Sequence, residues 1–157
     1  MWDSAFAGCS TLQFAIVATA PIASSKVQDI KTKAFNECGK LKYIICPEVN
    51  TLGKNAFKNC GLLSTFYAPK CKTLGDDPFV GMEGLKYLYL GEDKAVEDKF
   101  AGCKRVEYLT LPNCKEIGQD TFKGYALKYI SIPLCTKIGS SAFYNADSLK
   151  RIYLPKI

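Results

Sequence analysis

Apolar residues recur along this chain in one phrase of about 22 residues, and phenylalanine anchors the phrase. Phe6, Phe35, Phe57, Phe79, Phe100, Phe122 and Phe143 are separated, after a first gap of 29, by steps of 22, 22, 21, 22 and 21. With Phe as zero, Leu or Val stands six residues on at Leu12, Leu41, Leu63, Leu85, Val106 and Leu149, and Leu127 stands at five. An apolar residue follows three later (Ile44, Phe66, Leu88, Leu109, Ile130, Ile152) and another two beyond it (Cys46, Ala68, Leu90, Leu111, Ile132, Leu154). Pro then closes the run at Pro47, Pro69, Pro112, Pro133 and Pro155, with Gly91 in its place once. A unit this short cannot bury its own apolar face, so the period predicts a stacked solenoid.

Alternation of apolar and polar positions before each Pro predicts a short strand with its apolar side inward. Pro ends the strand, where its missing N–H breaks no ladder. Parallel strands of successive units then lie about 4.8 Å apart. On the far side of each unit, Ser4, Lys33, Asn55, Asp77, Asp98, Asp120 and Ser141 stand two residues before Phe. All but Lys33 are N-cap types, whose side-chain oxygen accepts from the first turn of a helix. Pro78 after Asp77 suits a helix start. The pattern therefore predicts one short helical turn per unit, with Phe pointing inward. The architecture expected is a β-rich α/β solenoid of about seven units of 21–22 residues, forming one domain over 1–157. Strands line one face and short helical turns the other. The unit is stretched over 13–29 and shortened over 91–99, where it loses Pro, Cys and Gly.

The unit at 127–138 reads L-K-Y-I-S-I-P-L-C-T-K-I, and that at 106–117 reads V-E-Y-L-T-L-P-N-C-K-E-I. Both fit the leucine-rich repeat pattern with Cys at the usual Asn place. The continuation I-G-S-S-A-F-Y-N-A-D-S-L at 138–149 resembles the BspA-type leucine-rich repeat, whose units carry I-G-x-x-A-F-x-x-C-x-x-L. The resemblance covers essentially the whole chain. It implies a right-handed superhelix and a secreted or cell-surface protein, of bacteria or of single-celled eukaryotes. It also implies adhesion to host proteins and cells.

Eight cysteines in 157 residues invite a disulfide or zinc reading. The repeat assigns them otherwise. Cys9, Cys38, Cys60 and Cys103 share the place three after Phe, Cys71, Cys114 and Cys135 share the strand exit, and Cys46 sits in a strand core column. All are inward positions, where Cys acts as a small buried hydrophobe. No C-x-x-C and no His occur, which argues against structural zinc. The competing arrangement bridges adjacent rungs, as Cys38–Cys60 or Cys114–Cys135. Residues 14–22 superficially resemble a secretory signal with Ala18 and Ala20 at a cleavage look-alike, but the repeat accounts better for the opening. Neither end carries a polar cap, so a fragment or uncapped segment of a longer array is expected.

Function is then expected on a surface. Between the inward strand positions stand seven of the nine tyrosines: Tyr43, Tyr67, Tyr87, Tyr89, Tyr108, Tyr129 and Tyr153, with Arg151 beside the last. Lys42, Lys86, Lys128 and Lys150 flank this face as a basic edge. Tyr offers large contact area at low entropic cost and is favoured in interface cores. It is equally a good exposed strand former. The face suits a protein ligand, a host or matrix protein included, or a glycan. Net charge of +6 without a Lys/Arg run does not point to nucleic acid, and no stretch has the apolar length of a membrane span. Asp77, Asp98 and Asp120, with Asp76 and Glu97, suggest either caps or a weak calcium ladder. Without His the usual hydrolytic triads and Cys–His pairs are absent, and no P-loop or G-x-G-x-x-G occurs. The sequence therefore reads as a non-catalytic binding module that needs no metal or cofactor. An intracellular scaffold, in the cytoplasm, is the alternative.

Overall fold

The computed structural model describes residues 3–17, 27–91, 94–95 and 97–157. Seven short strands, β1 (Phe14–Ile16), β3 (Tyr43–Ile45), β5 (Thr65–Ala68), β7 (Tyr87–Leu90), β9 (Tyr108–Thr110), β11 (Tyr129–Ser131) and β13 (Arg151–Tyr153), form one parallel sheet in chain order. Two-residue strands form two further sheets around the corner. They are β2 (Asp29–Ile30), β4 (Thr51–Leu52) and β6 (Thr73–Leu74), and β8 (Lys94–Ala95), β10 (Glu116–Ile117) and β12 (Lys137–Ile138). The expected parallel solenoid is therefore present. Its inward strand column keeps one register, Ala15 beside Ile44 beside Phe66 beside Leu88. β1 lies within 14–22 and pairs in register with β3, while Ala18 and Ala20 lie outside the described residues.

The back of the solenoid departs from the expected helical turns. Only α1 (Glu97–Phe100), continued by a 3-10 turn at Ala101–Cys103, is helical among the described residues. Elsewhere the residue proposed as an N-cap has a left-handed backbone: Ser4, Lys33, Asn55, Asp77, Asp120 and Ser141 all have φ of 50–55°. An N-cap requires β-region dihedrals, so these residues cap nothing. The cap expected at Asp98 lies outside the described side chains. A second left-handed position follows four residues later, at Gly8, Glu37, Asn59, Gly81, Gly124 and Asn145. Asn, Asp and Gly are the residues that enter this region most cheaply, which explains their recurrence in both columns.

The two left-handed residues turn the backbone outward so that neighbouring rungs bond to each other. Phe35 N–H donates to the Ala56 carbonyl and Glu37 N–H to that of Lys58, both at 2.8 Å. Phe122 and Gly124 do the same with Ala142 and Tyr144, at 2.9 and 2.8 Å. Intervening amides close tight turns within the rung, as Cys38 N–H to Phe35 carbonyl at 3.2 Å. A helical turn would keep all these donors within its own unit. At the next corner, glycine is required for the same close approach: a Cβ on Gly75 would lie 2.5 Å from Lys54 N, and Gly53 and Gly139 face their neighbours alike. Gly75 N–H reaches the Leu52 carbonyl there, at 2.7 Å. In the shortened unit, Lys99 Nζ donates instead to the carbonyls of Leu74 and Gly75, at 3.2 and 3.3 Å. Its ammonium thus covers acceptors at the place where one corner sheet stops and the other begins.

The interior is a column of phenylalanines. Phe6, Phe35 and Phe57 stack with centroids 5.1 Å apart. Phe66, from β5, then intrudes edge-on between Phe57 and Phe79. Phe35, Phe57, Phe79, Phe100 and Phe122 are buried, whereas Phe6 is 42% exposed and Phe143 half-buried.

All eight cysteines are free thiols, seven of them buried and Cys9 half-buried. They do more than fill space. Cys38 Sγ donates to the Phe6 carbonyl at 3.0 Å and Cys60 Sγ to that of Phe35 at 3.1 Å. Tyr125 occupies the same column, and its hydroxyl donates to the Phe100 carbonyl. Cys114 and Cys135 bond the carbonyls two residues on, at 3.1 and 3.3 Å. Each of these buried thiols thus gives a backbone carbonyl a weak donor small enough for the core. Burial pushes the Cys46 and Cys60 thiols up to about 12, and raises Cys38 and Cys103 as well.

Two measurements follow. Lys33→Gly should raise stability by about 0.5–1 kcal/mol in thermal melts, since Gly relieves a left-handed Lys. A helical turn at that place would instead be weakened by about as much. Thiol titration without reductant should count eight cysteines in denaturant, while Cys46 and Cys60 stay unlabelled in the folded protein at pH 8. The unfolded chain releases these protons near pH 9 and the folded chain holds them to about 12. The thiols' contribution to stability therefore declines as pH rises through that window. Six or fewer thiols in denaturant would mean bridges.

Candidate functional site

The outward residues of the large sheet form two parallel columns, because side chains alternate along each strand and every strand keeps register. The first runs Phe14, Tyr43, Thr65, Tyr87, Tyr108, Tyr129 and Arg151. The second runs Ile16, Ile45, Tyr67, Tyr89, Thr110, Ser131 and Tyr153. Backbone pairing alone therefore gathers the tyrosines that sequence periodicity placed on this face.

The rings are packed against one another along the columns. Tyr87 and Tyr108 stack at 4.8 Å with planes 8° apart, and Tyr67 and Tyr89 meet at 4.9 Å tilted by 45°. Tyr43 stacks on Phe14 at 5.1 Å. One face of Tyr87 and one of Tyr108 are thus turned to each other, while Thr65 lies on the other side of Tyr87. Tyr67, Tyr87, Tyr89 and Tyr108, with Thr65 and Thr110, line a shallow depression of about 180 Å³ at the centre. Tyr87 is 49% exposed and Tyr89 half-buried.

The eight expected site residues all lie in these two columns, and Arg151 continues the first beside Tyr129. Tyr129 lies beside Tyr108 in register and is half-buried. Arg151 and Tyr153 stand on the last strand, and Thr110 and Ser131 separate Tyr153 from Tyr89 by three rungs, about 14 Å. At the other end the structure adds two residues to the face. Phe14 and Ile16 are 63% and 69% exposed and continue it past Tyr43 and Ile45. They fall in the stretched unit, whose missing Pro hid the strand. An apolar pair at strand spacing directly after Leu12 was the available signal.

The basic edge is interrupted twice, by Ser64 and Glu107. Glu107 pairs with Lys128 at 2.7 Å. The hydrogen bond from Lys128 holds the Glu107 carboxyl below its ordinary range, and the charges of Lys128 and Lys86 act the same way. The same bond raises the Lys128 ammonium, with the Tyr108 and Tyr87 phenols adding to it. The acidic column has other partners: Asp76 lies 3.6 Å from Lys54, and Asp120 lies 3.4 Å from Lys123. Among the described residues no three potential ligands gather as a metal site would require. The side chains of Glu97 and Asp98 are outside that description. No described helix is long and apolar enough to cross a membrane.

Comparisons with known proteins agree with this geometry. Two solved structures resemble the chain. A leucine rich cell surface protein from Faecalibacterium prausnitzii is 20% identical with a TM-score of 0.54, over 88% of this chain and 46% of that one. A leucine-rich repeat protein from Bacteroides ovatus is 29% identical with a TM-score of 0.45, over 89% of this chain and 33% of that one. The first likeness supports the fold; the chain spans less than half the length of either. No curated protein matches it. The sequence profile of the BspA type leucine rich repeat region matches in six copies, over residues 2–95 and 95–157. The Phe-anchored units, their parallel strands and this match together place the chain in the BspA-type leucine-rich repeat family.

Proposed function

We propose that the chain is a non-catalytic protein-binding module, adhesin-like, that holds its ligand on the tyrosine face of the large sheet. Surface display or secretion accords with the family and with the cell-surface description of the Faecalibacterium protein. The observation that carries the choice of ligand is the ring packing. A sugar or a nucleic-acid base docks on the open face of an aromatic ring. One face of Tyr87 and one of Tyr108 are given to each other, so a ligand meets edges and hydroxyls beside a reduced area of open ring. That is a mixed apolar and hydrogen-bonding surface of the kind protein interfaces use. The pre-stacked rings also lose little side-chain entropy on binding.

A second reading, an intracellular scaffold, draws support from the eight free thiols, which suit a reducing compartment. The thiol count in denaturant separates the two, since bridges would favour export.

Replacing Tyr87, Tyr89 and Tyr108 together with Ser tests the face. Retention on immobilised extracellular-matrix proteins should fall by about thirtyfold, the scale of a lost hot-spot cluster. Stability should change by no more than about 1–2 kcal/mol, because only cross-strand pairs are lost. Equal retention by the variant would remove this face from the account. Tyrosine-dependent binding to an immobilised glycan array, without binding to protein, would reassign the ligand.

A further inference from the structure

Away from the large sheet's basic edge, three lysines pair with carboxylates one rung away: Lys70 with Glu48 at 2.7 Å, Lys137 with Glu116 at 2.9 Å and Lys54 with Asp76 at 3.6 Å. Along that edge, Lys42, Lys86 and Lys150 stand one residue before the outward tyrosine column. They form no ion pair among the described residues, and neither does Arg151. Only Lys128 is paired, with Glu107. Lys42, Lys86 and Lys150 are therefore cations without ion-pair partners among the described residues, on either side of the Glu107–Lys128 pair and beside an apolar strip that is equally uncovered.

We propose that this face takes a segment of a partner protein that is acidic as well as apolar. The proposal rests on the protein-binding reading above and names the chemistry of the partner. The segment runs along the stack, across the strands. Its apolar side chains cover Tyr43, Tyr67, Tyr87, Tyr89 and Tyr108, and its carboxylates meet the lysine row. Lys42 and Lys86 stand two rungs apart, about 9.6 Å, and Lys150 three rungs beyond Lys86, so each can meet a separate carboxylate. A second copy of this chain is a poor occupant, because a net charge of +6 repels it. A polyanion such as nucleic acid would use the lysines but finds one face each of Tyr87 and Tyr108 already stacked. An acidic polypeptide satisfies both halves of the surface. Charge complementarity of this kind speeds encounter and selects the partner, and salt weakens it.

The experiment selects a displayed library of random dodecapeptides on the wild-type chain, with the Tyr87→Ser, Tyr89→Ser, Tyr108→Ser variant as counter-selection. Tyrosine-dependent peptides should carry a net negative charge beside aromatic or aliphatic residues. They should bind about tenfold more weakly to a Lys42→Ser, Lys86→Ser, Lys150→Ser variant, and more weakly in high salt. Charge reversal of the same lysines to Glu should turn the selection toward basic peptides. Tyrosine-dependent peptides without an acidic bias would overturn this inference and leave the protein-binding reading standing. No tyrosine-dependent peptide at all would overturn both. Tight binding of heparin oligosaccharide or oligo(dT) through these lysines, indifferent to the tyrosines, would overturn the inference in favour of a general polyanion surface.

Discussion

The structure depends on one constraint: backbone groups on every wall bond to the neighbouring rung. The large sheet shows it in ordinary form, as parallel strands in register. The back wall shows it without strands, through paired left-handed residues that aim alternate amides at the next unit. A rung spacing near 4.8 Å is thereby imposed all round the coil. Most of the unit's sequence can be understood as what that spacing permits.

Gly53, Gly75, Gly91 and Gly139 stand where a Cβ would strike the rung before them. Phe fits the interior because rings stacked near 5 Å match the rung spacing closely. Cys suits a column where a small side chain must also give a hydrogen to a carbonyl, and the Tyr125 hydroxyl shows that the donation matters as well as the volume. The outer tyrosines obey the same spacing. Rings one rung apart are already at stacking distance, so the scaffold that orders the core also orders the exposed face. Fold and surface are in this sense one arrangement, since the rungs that order the core also order the exposed rings.

Much of this was legible in the chain. The Phe period and the alternation before each Pro gave the parallel sheet, its register and the tyrosine columns, because inward and outward positions follow directly from strand geometry. The back wall was misread for a physical reason. Asn, Asp and Ser favour helix caps, while Asn and Asp also tolerate left-handed turns, and residue type alone does not separate these states. Lys33, no cap residue but in the same column, was the discordant sign, and Glu37 with Asn59 and the glycines marked the second turn. Phe14 and Ile16 were missed because their unit lacks the Pro that ended the other strands. Tyr153 stands three rungs from Tyr89, across Thr110 and Ser131, while Arg151 directly adjoins Tyr129 in the first column.

Amide hydrogen exchange followed by NMR tests the perimeter-wide bonding most directly. The back-wall amides of Phe35, Glu37, Phe122 and Gly124 donate to the next rung at 2.8–2.9 Å, as the large-sheet wall does at Cys46 and Leu111 at 2.9 and 3.0 Å. The account predicts protection of the same order at both sets of sites, because both open only when rungs separate. Exchange of the back-wall amides at the rate of open loops, with the sheet amides still protected, would contradict it.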